Sequence, residues 1–367
     1  MPRTSLRPPD YLLIGLMLVL VAFGLLMLSS AGAVVGYEKF GQSDYFFRRQ
    51  LFSTAVGLLA FFFLSRIDYH VWRKFAFPFL LLSVILLVMV FLPGIGFRAG
   101  GASRWILLGN FLLQPAEVVK LTFLVYLAVW LEKHAKGIHD FWYGFVQFLA
   151  LLGIIVSLIM FQPDLGTVGV IVGLSIVVYF VAGAPYRHLA LFGLGATGLF
   201  ALLIKVAPYR TQRLTVFLNR EIDPQGIGYH MNQALLAIGS GGIFGLGLGH
   251  SRQKYNYLPE VTGDSIFAII AEELGLLVAA AVVVLFVVLL IRGFSVARNA
   301  PDPFGKYLAT GITAGIVLQA FVNIGAISGI LPLTGIPLPF ISSGGSSLIM
   351  AMAGMGMLVN ISRQTKK

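Results

Sequence analysis

The chain has 367 residues, 58% of them hydrophobic and 11% charged, with a mean hydropathy of +0.89 and a formal net charge of +11. That balance excludes an ordinary water-soluble domain, in which about a quarter of residues carry charge. The absence of cysteine excludes disulfides and thiolate metal sites.

A bilayer core needs about 20 mostly apolar residues per helical span. Runs of this kind, some of them shorter, lie near residues 11–33, 49–65, 75–93, 117–131, 143–161, 166–184, 188–206, 266–292, 307–330 and 346–361. They are continuous and do not alternate, so they predict helices and not a barrel. The expected fold is all-α, a single polytopic membrane domain over residues 1–367 with about ten spans. The first run exceeds the core of a secretory signal, about 7–15 residues, and although SSAGA imitates a cleavage site it reads as a retained span.

Lys and Arg gather in the loops at 66–74, 133–136 and 298–306 and at both termini, with Arg187 and Arg292 on the same side. The opposite short loops hold only Lys39, Arg48, Arg49, Arg98 and Arg104. This asymmetry places both termini in the cytoplasm. Much of the positive charge is thus orientation signal, and a nucleic-acid reading has no support.

Three stretches on the outer side break the helical pattern. The longest, about 57 residues from 207 to 263, contains NQALLAIGSGGIFGLGLG, which is too apolar for disorder and is expected to fold onto the bundle. Residues 93–117 and 331–347 are rich in Gly and Pro, and are expected to be irregular. Irregular backbone at a membrane persists only when packed on protein or lining a wet cavity. Together the three predict one outward-facing cavity. No tandem repeat is evident.

Ionisable residues within or beside spans are costly and carry functional hypotheses. Glu117 and Lys120 in QPAEVVK stand at i, i+3 on one helical face, as a self-neutralising structural pair or as part of a site. Asp164 in QPDLGT suits an N-cap of the sixth span. Glu272 and Glu273 lie inside the eighth span, where at least one must face the bundle interior, and a hydrogen-bonding support role is the simpler reading. Asp264, in YLPEVTGDSIFAIIAEELG, is either the N-cap of that span or a general base at the mouth of a cavity. Lys254 and Glu260, with Arg210, Arg213 and Arg252, give the long loop a basic character suited to a phosphate-bearing ligand or to lipid headgroups.

No G-x-x-x-x-G-K-[ST] occurs, and GLGLG at 245–249 does not follow a strand in a βαβ unit, so nucleotide-hydrolase and dinucleotide motifs are absent. The six histidines form no metal-spaced cluster. No Asp-x-Asp is present, so a sugar transferase with this sequence would take a lipid-linked donor.

GASRWILLG, LLQPAEVVKL, QPDLGT, DPQGIGYHMNQALLAIGSGGIFGLGLG, QKYNYLPE with GDSIFAIIAEELG, and PLPFISSGGSSLI resemble, in order and spacing, the SEDS proteins (shape, elongation, division, sporulation) represented by RodA and FtsW. The likeness covers nearly the whole chain. It departs where members often read P-E-x-H-T-D-F: here Val261, Thr262, Gly263, Asp264 and Ser265 stand, so the aspartate is retained and any role for Thr262 is weakened. The resemblance implies a ten-span helical fold and a peptidoglycan glycosyltransferase that polymerises lipid II, growing an undecaprenyl-pyrophosphate-linked glycan at the outer face of the bacterial cytoplasmic membrane. It implies Asp264 as the catalytic aspartate and Arg104, Gln114, Glu117, Lys120 and Lys254 as cavity positions toward substrate. It also implies a class B penicillin-binding protein as partner. ISSGGSS and the terminal LVNISR lean toward FtsW, hence toward division.

On that reading Asp264 accepts the proton of the attacking sugar hydroxyl. Arg104, Lys120 and Lys254, or a divalent cation such as Mg or Mn for which no ligand set is visible, stabilise the leaving pyrophosphate. One base fits inversion, while Glu117 keeps a retaining route open. Two rival functions stand beside this one: a flippase or transporter for a lipid-linked sugar, which commonly shows inverted repeats not detected here, and a non-enzymatic scaffold for the penicillin-binding protein.

Overall fold

The computed structural model describes residues 7–99, 102–109, 111–206, 208–219, 225–226 and 228–365. Each of the ten apolar runs falls on a helix. In chain order the helices are α1 (Tyr11–Ala31), α2 (Ala33–Phe40), α3 (Tyr45–Arg66), α4 (Ala76–Met89), α5 (Pro115–Lys133), α6 (Gln147–Met160), α7 (Leu165–Val181), α8 (Tyr186–Val206), α9 (Pro208–Leu218), α10 (Tyr229–Ser240), α11 (Ile266–Arg298), α12 (Pro303–Ile327) and α13 (Gly345–Ser362). Among the described residues, seven helical stretches are long and apolar enough to cross a membrane by length and composition, and α7 is a shorter apolar helix.

Side-chain caps set several helix starts. Asp10 accepts from the Leu12 and Leu13 amides at the head of α1, at 3.1 and 3.3 Å. Asp302 accepts from the Gly305 amide at 3.0 Å, with Pro303 in the first turn of α12, where its missing N–H is no loss. The most enclosed helices are α12 and α13, the middle of the bundle, while α3 and α4 keep many large apolar side chains on the outside, as a lipid-facing surface requires.

Two of the three stretches expected to be irregular have regular structure. Residues 93–117 contain an antiparallel sheet of β1 (Gly96–Ala99), β2 (Ala102–Leu108) and β3 (Phe111–Leu113), in the order β1-β2-β3, with a bulge between Phe97 and Arg98. Gly109, at φ +59°, turns the chain between β2 and β3. The long loop holds α9 and α10, and α10 packs on α11. The third stretch is non-helical as expected, yet deeply buried, with Ile336, Leu338, Phe340 and Ile341 all in the core.

The eighth run is not one straight helix. At Gly275 the backbone of α11 takes φ 79°, ψ 177°, a region open essentially to glycine alone. The amide and carbonyl groups freed by this break are met by the 242–247 turn. The Leu246 and Gly247 amides donate to the Glu272 and Glu273 carbonyls, each at 2.9 Å, and the Leu276 amide donates to the Gly242 carbonyl at 2.9 Å. This is how a broken helix survives at membrane depth: another piece of backbone replaces the missing partners. The approach is close enough that a Cβ at Gly245 would lie 2.3 Å from the Glu273 carbonyl oxygen.

A charged cluster ties the helix ends remote from the sheet. Arg73 bridges Glu132 and Asp302, each at 2.7 Å, and the Tyr69 hydroxyl donates to Asp302.

Candidate active site

Asp264 is held by its backbone. Three consecutive carbonyls each accept from a different donor: Thr262 from the Ser343 amide (2.7 Å), Gly263 from Ser342 Oγ (2.6 Å) and Asp264 from Asn323 Nδ2 (2.8 Å). Ser342 Oγ also accepts from the Leu338 amide at 2.8 Å, and Gln50 of α3 donates to the Ser342 carbonyl at 3.0 Å. Buried polar backbone without partners is costly, so this set of bonds fixes the turn before α11 against the 334–344 segment. The Asp264 side chain is half-buried. Its Oδ1 accepts from Ser265 Oγ at 3.3 Å, and Gly335, at φ +73°, lies beside Oδ2. The N-cap of α11 is Ser265, one residue beyond the capping alternative for Asp264.

On the other side of the same segment stands the Glu117–Lys120 pair, joined at 2.7 Å on α5. Lys120 Nζ also donates to Gln319 Oε1, and Gln319 Nε2 donates to the Pro337 carbonyl at 2.9 Å. Glu117, Lys120 and Gln319 line a cavity of about 60 Å³ whose other walls include Leu124, Leu174, Ile316 and Met350.

The 162–164 turn completes this end. Asp164 caps α7, accepting from the Thr167 amide at 3.1 Å and from Thr167 Oγ1 at 2.9 Å, and Gln114 Nε2 reaches its Oδ2 at 3.4 Å. The Gln114 amide donates to Ser346 Oγ at 3.0 Å, which links the start of α5 to α13. Arg104, on β2, donates from Nε to the Gln162 carbonyl (3.0 Å) and from Nη2 to the Pro163 carbonyl (2.6 Å). Among the described residues the partners of the Arg104 guanidinium are these carbonyls and no carboxylate. The sheet, the 162–164 turn, the turn before α11 and the 334–344 segment thus meet at one end of the bundle.

Lys254 stands elsewhere. It is 4% exposed, and its Nζ donates to Glu273 (2.9 Å), Ser30 Oγ (3.1 Å) and the Gly249 carbonyl (2.6 Å). A cation expected toward the ligand is engaged inside the protein, because a buried Glu273 requires a counter-charge. Glu272 accepts from Ser251 Oγ (2.5 Å) and the Arg252 amide (2.9 Å). Both glutamates are fully enclosed, and they bind the 251–254 turn against the break in α11.

Gln319, Asn323, Ser342 and Ser265 are given no role by the sequence alone. Gln319 and Asn323 carried a signal, as two amides one turn apart inside an apolar run. Ser342 and Ser265 carried none, since their partners are distant in sequence. The side chains of Arg210 and Arg213 lie outside the described residues. Among the described residues no three His, Asp or Glu side chains converge as a metal site would require.

Residues 10–367 match the family described as cell cycle protein, whose members are FtsW, RodA and SpoVE. The chain is 44% identical over 363 residues to "Stage V sporulation protein E" of Bacillus subtilis (strain 168), covering 99% of both chains. It is 40% identical over 358 residues to "Probable peptidoglycan glycosyltransferase FtsW" of Geobacter metallireducens, covering 97% of this chain and 95% of that one. Among solved structures it is similar, with a TM-score of 0.79 and 29% identity over 97% of this chain and 98% of the other, to a chain from "Structural coordination of polymerization and crosslinking by a peptidoglycan synthase complex".

Proposed function

The chain belongs to the cell cycle protein family of FtsW, RodA and SpoVE, and from that premise we propose that it polymerises lipid II as a peptidoglycan glycosyltransferase, with Asp264 as general base. It is a multi-pass protein of the bacterial cytoplasmic membrane, and the reaction takes place at its outer face. The observation that carries the proposal is the grip on Thr262, Gly263 and Asp264, whose three carbonyls are tied to Ser343, Ser342 and Asn323. A half-buried carboxylate on so fixed a backbone is preorganised, as a base that must meet a hydroxyl at about 2.6–3.2 Å requires.

In the step, a sugar hydroxyl of the acceptor bonds to the anomeric carbon of the donor while the bond from that carbon to pyrophosphate breaks. The electron pair leaves on the pyrophosphate oxygen, and the hydroxyl proton passes to Asp264. Negative charge gathers on the leaving group, where a preplaced cation acts most strongly in the transition state. Arg104 suits that task best because Lys120 is neutralised by Glu117 and Lys254 by Glu273. A divalent cation, Mg or Mn, would arrive on the pyrophosphate itself. Glu117, buried under its ion pair, is a poor nucleophile, which favours direct displacement with inversion. Gln114, bonded to Asp164, shapes the rim beside Arg104.

A class B penicillin-binding protein is the proposed partner, supported by the likeness to a chain of a synthase complex that couples polymerisation to crosslinking. The lean toward FtsW in the sequence is accompanied by relatives named FtsW and stage V sporulation protein E. The test is synthesis of glycan chains from lipid II by purified protein in detergent, with and without that partner. Asp264→Asn, folded as wild type, is expected to lose several hundredfold or more of the rate. Chain synthesis by that variant at the normal rate would refute the assignment. No synthesis by wild type, even with partner, would favour a flippase or scaffold.

A further inference from the structure

A serine at the N-cap of a helix ordinarily turns its hydroxyl oxygen to the amide two or three residues on. Ser265 occupies that position in α11 and makes no such bond; the Ala268 amide is met by the Ser265 backbone carbonyl at 3.0 Å. The hydroxyl, wholly buried, is engaged elsewhere: it donates to Asp264 Oδ1 at 3.3 Å and lies 2.7 Å from His230 Nε2. His230 is on α10, 35 residues earlier, and reaches Ser265 because α10 packs on the start of α11.

The chemistry of these groups orders the bonds. A hydroxyl has one hydrogen to give, and an ionised carboxylate can only accept. With that hydrogen on Asp264, Ser265 Oγ is the acceptor toward His230, so the ring donates from Nε2–H. The result is a directed chain from His230 through Ser265 to Asp264, both bonds polarised toward the carboxylate. A hydrogen bond to the charged form of an acid favours that form. Without the imidazole, the Ser265 hydroxyl would be free to rotate back to the helix amides it neglects.

We propose that His230 and Ser265 are positioning residues that keep Asp264 ionised and oriented, with His230 holding the Ser265 hydroxyl so that its hydrogen is committed to Asp264 Oδ1. The inference rests on Asp264 being the general base, and adds a second layer to it from the long outer loop. Among the described residues, the titratable groups on the elements packed about it include Glu260 on the preceding turn, Asp164 at the 162–164 turn, Tyr229 beside His230, and the mutually paired Glu117 and Lys120. From α12 come only the uncharged amides of Gln319 and Asn323.

The experiment is the pH dependence of lipid II polymerisation by the full chain, together with its penicillin-binding partner if that is needed for activity, for wild type, Asp264→Asn, Ser265→Ala, Ser265→Thr, His230→Phe and His230→Gln. Removing the donor to the carboxylate raises the pKa of the base, so the acid limb of kcat for Ser265→Ala and His230→Phe should move up by about one pH unit. KM should stay within about twofold, and the rate should recover at alkaline pH. Ser265→Thr keeps the hydroxyl and His230→Gln keeps an amide donor near Nε2, so both should restore the wild-type limb. Combining Ser265→Ala with His230→Phe should add nothing, since the two act in series. An unmoved acid limb in both Ser265→Ala and His230→Phe overturns the inference, as does an equal loss at every pH, which is the mark of a merely structural role. If one of that pair fails to fold, the other decides. Activity retained by Asp264→Asn would instead overturn the general-base reading itself, so the two failures are distinguishable.

Discussion

Gln319 and Asn323 stand one turn apart on α12 and hold consecutive carbonyls of the 334–344 segment, Pro337 at 2.9 Å and Ile336 at 2.8 Å. Each has a second partner in the site: Gln319 accepts from Lys120, and Asn323 donates to the Asp264 carbonyl. One helical face thereby sets the Glu117–Lys120 pair and the Asp264 turn in a common frame. Asn323→Ala leaves two buried carbonyls short of a donor, at a cost of about 1–3 kcal/mol. The thermal midpoint in detergent should fall, and polymerisation by the protein that remains folded should drop about a hundredfold, as misplacement of a catalytic group does. A variant with a lowered midpoint and an undiminished rate would separate Asn323 from the placement of Asp264.

The Lys254–Glu273 pair predicts strong non-additivity. Lys254→Met leaves Glu273 charged and enclosed, and should destabilise by about 3–5 kcal/mol. Glu273→Gln in the same chain should return much of that loss, because no buried charge is then left unpaired. Unfolding midpoints of the two single variants and the double variant measure the coupling; simple addition of the two losses would show that the ion pair is not their link.

Gly275→Ala should be poorly tolerated for two separate reasons. The backbone there is in a region closed to residues with a Cβ, and an added Cβ would come within 2.3 Å of the Ile243 carbonyl oxygen. Folded yield after extraction is the readout, and a monodisperse Gly275→Ala protein at wild-type yield would mean that the break in α11 is not required.

At the far end of the bundle, burial alone would push the Asp302 carboxyl up, but the bonds from Tyr69 and the Gly305 amide, with the charges of His70 and Arg73, outweigh it and hold the group below its ordinary value. A depressed carboxylate contributes stability above its unfolded pKa of about 3.8, and that contribution is lost as pH falls through the lower folded value. Wild type should therefore exceed Asp302→Asn in thermal midpoint at pH 6, and the gap should close as pH falls below about 4. A gap independent of pH would show that the charge of Asp302 is not what stabilises this cluster.

The helices under the ten apolar runs were legible because lipid demands long apolar runs, and the Glu117–Lys120 contact because i, i+3 residues share a helix face. The break at Gly275 was hidden inside a run that stays apolar on both sides. Lys254 looked available because nothing local announces a partner at Glu273, 19 residues on, and the role of Ser265 depends on a histidine in a different helix. The sheet at 96–113 was read as irregular because its strands are only three to seven residues long and its glycines dominate the pattern. Local rules thus reached the spans and one ion pair, whereas the contacts that orient Asp264 arise only when distant segments close on one another.

The interruption of α11 also bears on how the protein meets a bilayer of changing thickness. As one rod its 33 residues would extend about 50 Å, well beyond a hydrocarbon layer of about 30 Å. Divided at Gly275, the longer piece of about 23 residues measures about 34 Å and matches that layer with modest tilt. The shorter piece, which begins beside Asp264, is anchored to protein on every side. The requirement to match the lipid thickness therefore falls on the longer piece, while the one beside Asp264 is set by its protein neighbours.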